Sequence, residues 1–157
     1  MTLEHSDQAN NLRPDLSVSD STGEDRDLGG WVMSAGDVVL LLMFAVIGRW
    51  SHHEFSAGGA WATLGTAAPF VAGWTLIAAP LRVYAPRALD SFRTSVERLL
   101  ITWPIALAVG LIIRSIVDHE VPAPAFVVVA LLFNLLTLTM WRAAFMTLWR
   151  ARWLVSP

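Results

Sequence analysis

The sequence predicts an all-α protein, an integral membrane four-helix bundle. Four stretches carry no charged residue except Asp37, namely residues 32–48, 57–81, 99–113 and 121–141. About 20 apolar residues in a helix, each rising ~1.5 Å, cross the ~30 Å hydrocarbon layer of a bilayer. In addition, 55% of the residues are hydrophobic and only 15% are charged. A water-soluble chain of this length would not stay dispersed with that balance.

The first predicted element is an acidic tail. Residues 1–30 contain seven Asp and Glu residues against two arginines, with few large apolar side chains. Such a segment cannot bury enough apolar surface to offset its ordering entropy, so we expect a disordered cytoplasmic tail.

The membrane-spanning bundle is predicted to occupy residues 31–142. Its spans are expected at about residues 31–50, 58–81, 97–117 and 121–142.

An amphipathic cytoplasmic extension is predicted over residues 143–157. It is apolar and aromatic with Arg150 and Arg152 interleaved, which suits a helix at the inner membrane surface. Because this segment continues directly from a span, we expect it to contact lipid or a protein partner and no nucleic acid.

Arginine distribution predicts the orientation. Nine of the eleven arginines lie before span one, between spans two and three, or after span four, and only Arg49 and Arg114 lie at the other two junctions. Basic residues near membrane ends stay on the cytoplasmic side. Both termini and the central loop are therefore expected in the cytoplasm, with the chain a multi-pass protein of a bacterial plasma membrane.

Two residue types are missing, and their absence excludes several chemistries. Without cysteine the chain has no disulfide, thiolate-bound zinc, iron–sulfur cluster or thiol nucleophile, and without lysine it has no phosphate-binding-loop lysine or Schiff base. The sequence has no complete catalytic or cofactor motif, so no catalytic residue, bound metal or cofactor is predicted.

Small residues predict the packing of span two. Ala62, Gly65, Pro69, Ala72 and Gly73 recur at helical spacing, and small residues allow membrane helices to approach closely.

Asp37 is the one carboxylate inside a predicted span, and Asn134 is expected at a similar depth on span four. Thr75, Thr102 and Thr137 could complete a polar layer there. An intramembrane ionisable residue is by default a functional candidate, here a proton or cation relay. The structural alternative is that Asp37 pairs with an arginine of the inner side: Arg142, Arg98 or Arg82.

A second polar cluster is expected on the outer face. His52, His53, Glu54, Asp118, His119 and Glu120 follow spans one and three, whose ends carry Arg49 and Arg114. Imidazoles with carboxylates are reasonable ligands for a divalent ion, although adjacent histidines point in different directions. The alternative is a solvated polar loop, with the arginines reaching headgroups or nearby carboxylates.

Several local elements resemble a known family. They are Gly36-Asp37, Gly48-Arg49-Trp50-Ser51-His52, the run from Leu64 to Phe70, Arg114, and the run from Pro124 to Val129. The chain resembles small four-span membrane proteins of actinobacteria and haloarchaea known as a domain of unknown function, over about residues 35–142. More loosely, it is similar to an accessory factor of the actinobacterial respiratory supercomplex. The resemblance implies the topology and no activity.

Three functions follow from these observations. The preferred one is a non-catalytic accessory or scaffold subunit of a larger membrane protein complex, the respiratory supercomplex being one candidate. The second is a small oligomeric transporter or channel with Asp37 as its intramembrane ionisable site. The third is a metal-dependent membrane enzyme that uses the outer histidine and carboxylate cluster.

Overall fold

The computed structural model describes residues 16–51, 59–85, 88 and 91–155. These residues contain four long helices and no strand. The helices are α1 (Leu16–Ser51), α2 (Gly59–Ala78), α3 (Phe92–Asp118) and α4 (Pro124–Val155).

Each helix contains a segment long and apolar enough to cross a membrane. The segments are Asp27–Ser51, Gly59–Ala78, Phe92–Asp118 and Pro124–Trp149, with mean hydropathies between 1.2 and 2.1. The predicted class, an all-α bundle with four membrane-spanning helices, is therefore confirmed.

The first helix begins earlier than the sequence predicts. Helix α1 starts at Leu16, so residues 16–30 of the expected disordered tail are helical, and residues 1–15 lie outside the described part. Contacts with the rest of the bundle account for the helical end of this segment. A β-carbon on Gly29 would lie 3.1 Å from the Trp149 ring, and one on Gly30 would lie 3.3 Å from the Tyr84 carbonyl oxygen.

The last helix also extends further into the bundle than predicted. Helix α4 continues unbroken to Val155, and Phe145 and Met146 are buried in a cluster with Met33 of α1. The Phe145 and Trp149 rings stack with their centroids 5.4 Å apart. Residues 143–149 therefore pack against α1, which differs from the surface extension expected for them.

The helices form a ring in chain order. Helix α1 packs against α2 and α4, and α3 packs against the same two helices. We name the ends of the bundle by one residue each. The Arg49 end holds the last residues of α1 and α3, and the Tyr84 end holds the α2–α3 connection. The buried core between them is apolar and includes Leu41, Phe44, Phe70, Trp74, Val83, Leu99, Trp103, Leu107 and Leu138.

The backbones of α2 and α3 approach each other closely at Gly73. A β-carbon on Gly73 would lie 2.4 Å from the Ala106 carbonyl oxygen and 2.8 Å from the Gly110 nitrogen. Pro69 and Gly73 of the predicted small-residue stripe are buried at this crossing, whereas Gly65 is exposed. Membrane helices pack closely through small residues. At this crossing the small residues are Pro69 and Gly73 of the stripe, together with Gly110 of α3.

The α2–α3 connection folds back against the bundle. After α2 the chain makes consecutive turns, with Arg82 in a left-handed conformation at φ 51° and its carbonyl accepting a hydrogen bond from Arg98 Nη1. Val83 and Ala88 are fully buried, which anchors the connection. This path carries Tyr84 into the space between α1 and α2.

Candidate functional site: a buried ion pair and an arginine-lined cleft

An ion pair joins α1 to α4 inside the bundle. Arg142 Nη1 donates to Asp37 Oδ1 at 2.9 Å and Nη2 donates to Oδ2 at 3.0 Å. Both side chains are 0% exposed. A two-pronged contact of a guanidinium with a carboxylate is the strongest and most geometrically defined form of such a pair. Of the three arginines proposed as partners, Asp37 has Arg142, and Arg98 instead bonds to the Arg82 carbonyl.

Two aromatic side chains extend this ion pair into a network. The Tyr84 hydroxyl donates to Asp37 Oδ2 at 2.8 Å and accepts from Trp74 Nε1 at 2.7 Å. The Arg142 guanidinium carbon also lies 6.0 Å from the centroid of a Trp74 ring. We call Asp37, Arg142, Tyr84 and Trp74 the ion-pair network. Each carboxylate oxygen of Asp37 is thereby hydrogen-bonded, as a charge in this setting requires.

Glycine beside the aspartate lets α4 come close enough for this contact. A β-carbon on Gly36 would lie 2.2 Å from the Trp141 ring, so a larger residue would push Trp141 away. Trp141 Nε1 donates to the Met33 carbonyl at 3.3 Å, which fixes the same face of α4 on α1. The Gly36-Asp37 and Trp141-Arg142 dipeptides therefore form one interlocked contact.

The wider polar layer expected around Asp37 is not joined to it by hydrogen bonds among the described residues. Asn134 is fully buried, but its Nδ2 donates to the Ala130 carbonyl of its own helix at 2.9 Å. Thr75 and Thr137 likewise donate back to carbonyls of their own helices. The buried Thr102 hydroxyl and Asn134 Oδ1 have no hydrogen-bond partner in the described part of the chain.

The outer-face residues are only partly described. His52, His53 and Glu54 lie outside the described residues. His119 is exposed and caps α3 in a left-handed conformation at φ 56°. No group of His, Asp or Glu residues able to hold a metal ion is found within the described ranges. The predicted outer cluster therefore stays a prediction for its first three residues.

Arg49 and Arg114 face a common cleft at the Arg49 end. The cleft has a volume of ≈ 750 Å³ and is lined by all four helices. Arg114 Nε lies 3.1 Å from Asp118 Oδ2, and its guanidinium carbon lies 5.3 Å from the centroid of the Phe126 ring. The structure thus brings the two arginines predicted for the outer face into one site.

Sequence reasoning missed Tyr84 and Trp74. Tyr84 is the one tyrosine of the chain, and its hydroxyl must find a partner wherever it is buried. The same holds for an indole N–H in the middle of a span. The available signal was the need of the Tyr84 hydroxyl for an acceptor such as Asp37, and of the Trp74 indole N–H for an acceptor such as the Tyr84 hydroxyl.

The ionisation of Tyr84 can be measured directly, because no other tyrosine contributes to the tyrosinate absorbance. Burial first, and then the negative charge of Asp37, raise the pKa of the Tyr84 phenol above its ordinary value of about 10. The folded protein should therefore develop no tyrosinate absorbance near pH 10, whereas the denatured chain should. Because the unfolded state releases this proton first, the contribution of Tyr84 to the free energy of unfolding should be constant below about pH 10 and decrease above it. A normal tyrosinate transition in the folded protein would contradict the network.

Comparison with known proteins gives one family. A family model described as "Protein of unknown function (DUF3054)" matches residues 34–145. No curated protein and no solved structure matches the chain. The matched segment includes Asp37, Arg142 and the arginine-lined cleft. None of these comparisons supports a link to the respiratory supercomplex.

Proposed function

Because this chain belongs to the DUF3054 family and carries four helices able to span a membrane, we propose that it is a non-catalytic accessory or scaffold subunit of a larger membrane protein complex. The observation that carries the proposal is the bidentate pairing of Asp37 with Arg142, which engages both carboxylate oxygens. Asp37 and Arg142 are the two fully buried ionisable side chains among the described residues. They neutralise each other, and Asp37 Oδ2 also accepts a hydrogen bond from the Tyr84 hydroxyl. A relay or a catalytic site would need such a group to be available to a substrate or proton.

The outside of the bundle offers contact surface for lipid and for other subunits. Every helix carries large apolar side chains that are at least half exposed, including Met43 on α1, Leu76 on α2, Ile112 on α3 and Leu136 on α4. A membrane-embedded helix face of this kind contacts lipid tails or a neighbouring subunit. The respiratory supercomplex is one candidate for the assembly.

The arginine distribution supports a bacterial plasma membrane orientation with both termini in the cytoplasm. Because the chain has no cysteine, single cysteines can test this orientation without background. Ser51→Cys at the Arg49 end should react with a membrane-impermeant maleimide on intact cells. Ala79→Cys at the Tyr84 end should react only after the membrane is permeabilised, and the reverse pattern would overturn the proposed orientation.

The subunit proposal is tested by gentle detergent extraction from native membranes and mass spectrometry of the intact particle. We expect a heteromeric complex that contains this chain in fixed stoichiometry. Tryptophan substitutions at Met43, Leu76, Ile112 and Leu136 keep each span apolar and block close packing on one face at a time. At least one of the four variants should lower the recovery of the complex. The variants that leave recovery unchanged serve as controls for the effect of a tryptophan on a span surface.

Other outcomes of this experiment favour the alternatives. A homo-oligomer with no other protein would overturn the subunit proposal in favour of a small transporter or channel, for which Asp37 would have to leave Arg142. A lone monomer carrying stoichiometric metal would overturn it in favour of an enzyme based on the outer histidines. A monomer without metal would also contradict it.

A further inference from the structure

The cleft at the Arg49 end has the composition of a lipid-binding site. We propose that it binds one phospholipid with an amine headgroup, such as phosphatidylethanolamine, with an acyl chain on the cleft floor and the headgroup at the mouth. The inference goes beyond the subunit role, because it assigns a ligand to this end of the bundle.

An aromatic floor makes the inner part of the cleft apolar. Phe44, Phe70 and Phe126 come from three different helices and line the cleft together. The Phe126 ring centroid lies 6.2 Å from that of Phe44 and 5.9 Å from that of Phe70. These three side chains are buried or half-buried. A cleft of ≈ 750 Å³ between membrane-spanning helices can take part of a lipid tail, which is the apolar ligand that surrounds such helices.

The mouth of the cleft carries two half-buried arginines. Arg49 lies two residues before the end of α1 and Arg114 four residues before the end of α3, which is the depth at which long basic side chains reach headgroups. Guanidinium groups are suited to phosphate because they present several N–H donors in one plane. Arg114 engages Asp118 through Nε, and its terminal nitrogens supply further donors. The phosphate therefore has a matched position between the two arginines.

Two carboxylates at the rim decide the headgroup. Asp118 and Glu120 line the same cleft and are exposed, so the charges of the four charged residues described around the cleft sum to zero. A zwitterionic headgroup complements that arrangement. Its negative phosphate would face the arginines, and its positive amine group would face the carboxylates. A primary ammonium adds N–H donors that a carboxylate accepts, and a quaternary choline has none. The geometry therefore favours ethanolamine over choline and over the anionic glycerol headgroup.

The test uses the purified full-length chain in micelles and native mass spectrometry with added phosphatidylethanolamine, phosphatidylcholine or phosphatidylglycerol. We expect one phosphatidylethanolamine to be retained at lipid concentrations where the other two are lost. Arg114→Gln should weaken its retention at least about tenfold, the loss expected for a charge-assisted hydrogen bond to phosphate. Arg93→Gln, which changes an exposed arginine on the first turn of α3, should have no effect.

A second variant tests the role of the carboxylates in headgroup choice, and a soluble competitor tests whether the acyl chains are needed for binding. Asp118→Asn combined with Glu120→Gln should abolish the preference for phosphatidylethanolamine over phosphatidylglycerol, and this variant serves if Arg114→Gln does not fold. Glycerophosphoethanolamine, which is the headgroup without tails, should not compete at millimolar concentration. Equal competition by this compound, tighter binding of phosphatidylglycerol, or equal loss in Arg93→Gln would each overturn the proposal. None of these results bears on whether the protein is a subunit of a larger complex.

Discussion

Arg142→Met is expected to lower the free energy of unfolding by about 3–5 kcal/mol, because it leaves Asp37 charged and unpaired inside the bundle. Asp37 is 0% exposed, so the carboxylate that has lost its partner lies away from solvent. The Tyr84 hydroxyl would remain as its one side-chain hydrogen-bond donor among the described residues. The measurement is unfolding of the purified protein by a denaturing detergent, followed by tryptophan fluorescence.

The same substitution elsewhere in the chain gives a matched control. Arg93 also pairs with a carboxylate, at 2.7 Å from Glu97, but the two side chains are 87% and 55% exposed. An exposed pair of this kind contributes no more than about 1 kcal/mol, so Arg93→Met should change stability little. If Arg142→Met costs no more than Arg93→Met, the buried pair does not hold α1 to α4.

A double variant separates the cost of the lone charge from the value of the pair. Asp37→Leu together with Arg142→Met removes both charges and fills the space with apolar groups. Replacing a whole buried ion pair in this way is often close to neutral, so the double variant should recover most of the stability lost in Arg142→Met. Failure to recover it would show that the destabilisation comes from lost packing around Arg142, for example against the Trp74 ring.

The fold was predictable because hydropathy alone determines which segments cross a bilayer. The uncharged stretches coincide with the four spans, and the partner of Asp37 is one of three arginines that the arginine count places on its side. The positions of the helix ends were harder to predict from the sequence. Gly29 of α1 and Phe145 and Met146 of α4 lie in contacts between these two helices, and such contacts leave no periodic signal in a short polar or mixed segment.

The network around Asp37 could be predicted only in its two charged members. Tyr84 reaches the carboxylate because the turns after Ala78 reverse the chain and bury Val83. The regular spacing of apolar residues predicts helices but not the conformation of an irregular connection. The position of Tyr84 therefore follows from tertiary contacts and could not be predicted from the sequence. The same reasoning applies to the cleft, since Phe44, Phe70 and Phe126 meet only after the helices have packed in their ring order.

Gly73→Ala is the second substitution with a large expected effect, because its new methyl group would meet backbone and not a movable side chain. That methyl carbon would lie 2.4 Å from the Ala106 carbonyl oxygen and 2.8 Å from the Gly110 nitrogen. Relief requires α2 and α3 to move apart, and overpacking of this kind costs about 1–3 kcal/mol. The Trp74 and Trp103 rings, with centroids 6.0 Å apart, lie at the same interface and should report the movement through near-ultraviolet circular dichroism.

Gly65→Ala on the same helix is the matched control for this substitution. No atom outside the adjacent backbone of α2 lies within 4 Å of a β-carbon placed on Gly65. The change should therefore leave the tryptophan signal unaltered and alter stability only by the general gain of replacing glycine with alanine in a helix. Comparing the two variants removes the general effect of replacing glycine by alanine in a helix, which is shared by both positions. Equal stabilities for Gly73→Ala and Gly65→Ala would mean that the backbones of α2 and α3 do not approach each other as closely as the structure has them.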